Sequence, residues 1–465
     1  MNDRINKSND DIKNLYKEFF NAGQVGLLNK FEFSKEKIIS AKGSSLFTES
    51  GKEILDLTSG FGTQNLGYNN KQIINERINF VKNDQLPFSR LFFNENIANL
   101  AEKMSSMLPG NLKYSFFSNS GAEANEGALK LAYKYHEGNR NLLIHNKNSF
   151  HGKLIATSQI TDSPEVYFDF QNSLKTLCLD LEDLSLFEKT VQENLNDIYA
   201  VILEPFSASL AKPLNYDLLL SIQNICNQND IVVIFDEVYS GFYRTSNLFY
   251  FMNNQNLAPD IITYSKSFGG GIASISGYTS TDKVFLKAYG SQKDALLHSS
   301  TYSNYVEEAK IALKSLEIFS DKNFLEELEN TRDYLTKKIQ ELGDINHVVS
   351  LSGDGFHWGL KFEKVNLLNL DKLLKLLPIE ITKDPRFIEK LYVSAIINYL
   401  YVNFDILSYA GFNAEIKLFI SPPLIITNSQ IDHVIEALKE TIEKQPVSLM
   451  INFVNNYVLR MFNKD

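Results

Sequence analysis

Two residues in this 465-residue chain carry side chains whose pairing suggests specific chemistry. Lys266 follows the apolar run Ile261-Ile262-Thr263-Tyr264, with Ser265 between them. Asp236 closes the preceding run, Ile231 to Phe235. Presented from neighbouring strand ends, the amine could form an imine with an aldehyde, and the carboxylate could hold a proton on a pyridine nitrogen. Pyridoxal 5′-phosphate needs that combination. The glycines that follow, Gly269 to Gly271, would let backbone approach a buried cofactor closely. A solvated strand-ending lysine is the plain alternative. It is weaker for Asp236, because Asp236-Glu237 follows five apolar residues.

Other strand ends carry complementary groups. The run ending at Phe117 leads into Ser120-Gly121-Ala122, where small residues open a helix. Exposed amides and the helix dipole favour a phosphate there, although an ordinary Ser cap has the same spelling. The run ending at Ile144 leads to Phe150-His151-Gly152. Phe150 could stack on a flat heteroaromatic ring opposite Val238. His151 reads as a hydrogen-bonding residue rather than a base, since Lys266 already supplies one. Leu203 leads into Glu204-Pro205. Ligands of doubly wound sheets bind at the carboxyl ends of strands, so these five ends suit one ligand.

The elements that must hold them follow from periodicity. From about residue 70 to 315 short apolar runs alternate with helical patterns, as in a mostly parallel sheet with crossover helices. Strands are predicted at Lys113–Phe117, Asn141–Ile144, Thr176–Leu179, Ala200–Leu203, Ile231–Phe235, Ile261–Tyr264 and Ala273–Tyr278. Before them come a helix near Asp11–Ala22, strands around Lys37–Ala41 and Leu46–Thr48, and a turn at Ser50-Gly51-Lys52. Helices Ala309–Phe319 and Leu325–Leu342 come after. Strands Phe356–Phe362 and Glu415–Ile420 and the helix Ile431–Glu443 suggest a smaller α+β lobe. Asn366–Arg386 reads as an inserted helix and loop, and Val447–Phe462 as an amphipathic packing helix. The expected division is a large domain over 66–315 and a small domain formed by 1–65 and 316–465.

Bulk properties narrow the classes. A hydrophobic content of 44% permits a well-packed enzyme. The net charge of −10 leaves no basic surplus for nucleic acid. No stretch approaches the roughly 20 apolar residues that span a bilayer, and the polar N-terminus lacks an apolar signal core. Cys178 and Cys226 have no metal spacing and read as buried, reduced thiols of a cytoplasmic protein.

The order of these motifs resembles the class III aminotransferases of fold type I, the ornithine, acetylornithine and putrescine group. The matching stretches are LDLTSGFGTQNLGY (55–68), LKYSFFSNSGAEANEGALKLA (112–132), FHG (150–152), AVILEP (200–205), IVVIFDEVYSGFYRT (231–245), PDIITYSKSFGGG (259–271), LHSSTYS (297–303) and SPPLIIT (421–427). The resemblance implies a large domain with a mostly parallel mixed sheet plus a smaller α+β domain. It implies that Lys266 is the Schiff-base lysine, that Asp236 pairs the pyridine nitrogen and that Val238 packs under the ring. Ser120, Gly121 and Ala122 would bind the phosphate, Phe150 would stack, and Glu204 would sit beside Asp236. Thr301 would reach the phosphate of the other subunit of a homodimer with shared sites, and Gly60 to Gly62 would line the substrate entrance, also across the dimer.

Departures from the family pattern are as informative. After Glu-Pro the family usually carries Gln-Gly-Glu-Gly-Gly; here it is Phe206-Ser207-Ala208-Ser209-Leu210, so Ser209 replaces the loop glutamate. The arginine three residues before Pro-Pro is Phe419. That pair normally switches between gripping and releasing a substrate carboxylate. Lys417, on the same strand face, offers a partial substitute. Tyr239 replaces the usual Gln, and its phenol could donate to the ring hydroxyl; Tyr243 replaces a Gly. Arg90 and Lys153 are candidate carboxylate anchors, against a default of surface cations for each. The expected reaction moves an amino group between an amine or amino acid and an aldehyde or ketone, with a rather apolar substrate of specialised metabolism. An aminomutase or epimerase of the same fold is the alternative, and a cofactor-binding scaffold without turnover is the third.

Overall fold

Seven strands form one sheet in the order Leu112–Ser118, Ser276–Thr281, Ile261–Tyr264, Val232–Asp236, Ile198–Leu203, Leu142–Asn146, Lys175–Leu179. The computed structural model describes residues 7–163, 174–364 and 384–462. The two central strands, Ile198–Leu203 and Val232–Asp236, are buried along their whole length. Helices cover such strands on both faces, which is why they spell continuous apolar runs rather than alternation.

Register brings the polar strand ends together. Phe235 pairs with Leu203, so Asp236 and Glu204 emerge side by side. Asp236 pairs with Thr263 on the other flank, three residues before Lys266. The strand Ser276–Thr281 runs antiparallel to both of its neighbours. It starts three residues later than the predicted Ala273–Tyr278. The chain leaving Gly269 still makes turn hydrogen bonds to Ile272 and Ala273, and only Ser276 reaches a partner, Ser118.

The helix Gly121–Tyr135 packs Ala124, Ala128, Leu131, Ala132 and Tyr135 inward at helical spacing. Ser120 caps it, its hydroxyl accepting from the Glu123 amide.

The chain ends build two further four-stranded sheets. One joins the N-terminal strands Ile38–Lys42, Ser45–Thr48 and Glu53–Asp56 to Ile406–Leu407. The other is ordered Val348–Asp354, His357–Phe362, Ile416–Ile420, Tyr409–Phe412. The helix Phe387–Phe404, which the sequence reading missed, packs against Pro446–Phe462. Most of Asn366–Arg386 lies outside the described residues. The predicted N-terminal helix runs through Asn9–Leu15 into a wider turn, Tyr16–Phe20, without a break; Asn21 is extended, ends it and caps a second helix, Ala22–Leu28. Cys226 is buried as expected, but Cys178 is exposed, on the sheet's edge strand. No helix among the described residues is long and apolar enough to cross a membrane.

Candidate active site

Asp236 is buried and held from three sides. Its Oδ2 accepts from Asn125 Nδ2 and His151 Nδ1, both at 2.7 Å, and its Oδ1 accepts from the Val238 amide at 2.9 Å. A carboxylate offers about four lone-pair sites, so three donors leave one open. Because the carboxylate only accepts, His151 carries its proton on Nδ1, and its buried Nε2 has no partner. Thr263 and Thr161 orient the two helpers: Thr263 donates to Asn125 Oδ1 at 2.6 Å, and the His151 amide donates to Thr161 Oγ1 at 2.9 Å.

Lys266 starts a short 3-10 turn with φ of 52°, a left-handed conformation rare for a side chain of this size. Its Nζ donates to the Phe61 carbonyl at 3.0 Å and stands 5.1 Å from the Tyr239 ring centre. Burial pushes the amine down to about 8, against the opposing pull of Asp236 and Glu204. An amine that sheds its proton near neutral pH can act as nucleophile and base.

Glu204 is buried and pushed up to about 7, first by burial and then by Asp236. Its oxygens accept from the Phe150 amide at 2.9 Å and the Ala208 amide at 3.1 Å. It therefore sets the loop carrying Phe150 as well as the segment after Pro205.

Beside these acids and the lysine, the glycines pack closely against their neighbours. A Cβ at Gly121 would stand 2.7 Å from Val238 Cγ1 and 3.4 Å from Ser265 Cβ. A Cβ at Gly152 would stand 2.6 Å from Ala122 Cβ, which ties the Phe150 loop to the helix start. The first amides of a helix lack intrahelical partners. Ser120 takes that of Glu123, so Gly121 and Ala122 are the amides left for an anion. Phe150 is 39% exposed, a flat face turned outward with Lys153 Nζ 5.9 Å from its centre.

These features fit pyridoxal 5′-phosphate: an open acceptor on Asp236, a half-buried amine, a helix start where no side chain fits at Gly121, and free amides there. One strand-end cluster thus brings together Lys266, Asp236, Glu204, Val238, Gly121, Ala122, Ser120, Phe150 and His151. Thr301 is elsewhere: it is exposed, at the start of a 3-10 turn. The Gly60 to Gly62 stretch lies beside this chain's own Lys266, where the resemblance had put it across the dimer. Ser267 donates to the Gly62 carbonyl at 2.9 Å and pins it there.

Two expectations change, and Arg90 takes its default place as a surface cation. The Tyr239 phenol meets His357 Nδ1 at 2.9 Å, Tyr409 at 3.1 Å and Ser421 at 3.3 Å, so it is already engaged. Lys417 pairs with Glu415 at 2.7 Å and donates to the Leu210 carbonyl at 2.8 Å; it is not a spare cation. Arg90 is exposed and bonds Ser299 at 3.2 Å. Sequence reading also missed Asn125, His357, Tyr409, Ser421 and Phe61. Only Asn125 left a signal, as a polar residue on the buried face of an apolar helix.

Comparison with known proteins agrees with this geometry. The class-III aminotransferase family matches residues 34–442. An acetylornithine aminotransferase of Haemophilus ducreyi is 33% identical over 70% of this chain and 80% of its own. Aminotransferase PigE of Serratia sp. is 27% identical over 92% of this chain, which spans only 53% of that relative. A transaminase from the marine bacterium Virgibacillus superposes with a TM-score of 0.79 at 22% identity, covering 95% of this chain and 99% of that one. The chain belongs to the class-III aminotransferases, enzymes of the fold type I architecture that depend on pyridoxal 5′-phosphate.

Proposed function

We propose that this transaminase moves an amino group between an amine or amino acid and an aldehyde or ketone with an apolar body, in specialised metabolism. The placement of Lys266 and Asp236 at adjacent strand ends, with Gly121 packed closely on Val238 beside them, carries this reading. The likeness to PigE supports the metabolic setting.

The cofactor supplies an aldehyde and an electron-withdrawing ring when bound. Lys266 would hold the aldehyde carbon, yield it to the incoming amine, and then move the proton between the substrate carbon and C4′. Asp236 would keep the ring nitrogen protonated through its remaining acceptor site, while Asn125 and His151 hold the carboxylate still. Val238 would pack on one ring face and Phe150 on the other, with Ser120, Gly121 and Ala122 at the phosphate.

In this reading the enzyme is a cytoplasmic homodimer in which Thr301 completes the partner's phosphate site. The exposed Leu91, Phe92, Phe93 and Leu296 support that assembly, because apolar side chains this bare seek cover. The large domain is 66–315, and 1–65 and 316–465 form the small one.

Mixing purified holoenzyme with a panel of amines and following the imine absorbance band tests the reading. Conversion to the pyridoxamine form with release of a carbonyl product is expected. Solvent deuterium entering the substrate with no carbonyl product would replace transamination by the epimerase alternative.

A further inference from the structure

The segment Phe206 to Leu210 occupies the place where the family keeps its switching loop. Here its polar groups are bolted down. The Ala208 amide donates to Glu204 at 3.1 Å, and the Ala208 carbonyl accepts from His357 Nε2 at 2.9 Å. Ser209 donates to the Asn148 carbonyl at 3.1 Å and accepts from Asn413 Nδ2 at 2.9 Å. The Leu210 carbonyl accepts from Lys417 and from Ser352, the latter at 3.3 Å.

Behind this segment lies a closed, uncharged cluster. A carbonyl can only accept, so His357 Nε2 bears the imidazole proton and Nδ1 accepts from the Ser421 hydroxyl at 2.5 Å; the Tyr239 hydroxyl donates to Ser421 at 3.3 Å and its oxygen stands 2.9 Å from Nδ1. Tyr409 joins Tyr239 at 3.1 Å and Ser421 at 3.3 Å. Burial drives His357 down to about 3 and lifts the Tyr409 phenol well above its usual value, so both are neutral at pH 7. Around them the rings interlock. Phe61 meets Tyr409 at 5.1 Å, Tyr409 meets Phe419 at 5.2 Å, and Phe419 meets His357 at 4.9 Å. The Phe61 carbonyl is the group that Lys266 Nζ touches. Arg244, whose field reaches Tyr239 and Tyr409, is fully buried and spends its donors on Phe356, Pro422, Ser59 and Asn65.

We propose that this fixed, uncharged wall serves both half-reactions: donor and acceptor each turn an apolar group toward Phe61 and Tyr409, which the buried Phe419 backs, dicarboxylic partners such as glutamate are excluded, and His357 is the positioning residue that joins wall to loop. The proposal rests on the transaminase reading of Lys266 and Asp236. Atoms balance without an external oxidant. The donor carbon gives up its amino nitrogen and two hydrogens and takes a carbonyl oxygen from water; the acceptor carbon takes that nitrogen and those two hydrogens and releases its own oxygen as water.

The test compares hexylamine with L-glutamate in the first half-reaction of the holoenzyme. Hexylamine is expected to exceed glutamate in kcat/KM by about 100-fold or more, a margin of roughly 2.7 kcal/mol. Equal or faster turnover of glutamate overturns the proposal and leaves transamination standing; no conversion by any amine or amino acid overturns both. Binding without turnover is read separately. N,N-dimethylhexylamine, which cannot form an imine, is expected to raise the Tm of the holoenzyme at concentrations where glutarate does not, and the reverse order counts against the wall. For His357, the His357→Leu variant is expected to raise KM for hexylamine several-fold with kcat little changed. His357→Gln, whose amide can still donate to Ala208, is expected to restore KM. Identical behaviour of the two variants would remove the positioning role.

Discussion

Lys266 is useful as a nucleophile only once it has lost its proton, and the fold arranges that by burial. Lys266→Ala should therefore lower kcat by about a thousandfold or more, and the imine band should vanish with it. A merely solvated lysine would leave both unchanged. Glu204 gives a pH signature. Its carboxyl is raised from 4.5 to about 7, so the native state holds a proton that the unfolded chain releases earlier. Stability from this group is intact below about 4.5 and is lost as pH rises through 7. Glu237, buried under the amides of Tyr250 and Phe251, shifts the same way in the same window. Comparing Glu204→Gln with the parent isolates one of them: the denaturation midpoint of the variant should fall less between pH 5 and 7. An unchanged slope would mean that Glu204 is ionised throughout. Lys266 and Asp236 were legible in the sequence because polar residues ending apolar runs break a pattern. His357, Tyr409 and Ser421 were not, because Tyr239 finds them 118 to 182 residues away along the chain.

At the scale of elements, the close seating of one helix start on Val238 depends on what is missing at Gly121. Gly121→Ala would drive a methyl into Val238 at 2.7 Å. Overpacking of that kind costs about 1–3 kcal/mol. Cofactor affinity measured by equilibrium dialysis should fall by about tenfold or more; retention of full affinity would show that Val238 yields freely. The strands of the large sheet were readable because buried parallel strands spell unbroken apolar runs. Ser276–Thr281 was displaced in the reading because it is built of small polar residues, with Ser276 bonded to Ser118 and Thr279 to Ser115 at 2.8 Å. The helix Phe387–Phe404 escaped for the opposite reason. Leu391, Tyr392, Val393, Ala395, Ile396 and Ile397 are all buried, so it lacks a polar face and shows no helical stripe.

For the whole molecule, the proposed homodimer would complete the site. Phe92 is 76% exposed and Leu91 92% exposed in the single chain, next to Arg90 and its partner Ser299. Sedimentation should report a dimer, and Phe92→Asp combined with Phe93→Asp should yield monomers with little activity. Active monomers would mean that no residue is shared between sites. Family and cofactor were readable from motifs spread along the chain, while the substrate wall was readable only after folding, since strands and loops distant in sequence build it together.

The left-handed backbone at Lys266 has a consequence of its own. A lysine held at φ 52° costs roughly 1–2 kcal/mol that a glycine would not. Lys266→Gly should thus denature later than Lys266→Ala, and later than the cofactor-free parent, by about 1 kcal/mol in urea titration. Selection for heat tolerance alone would then favour disarmed molecules, so any stabilisation campaign on this enzyme must screen for turnover at every round.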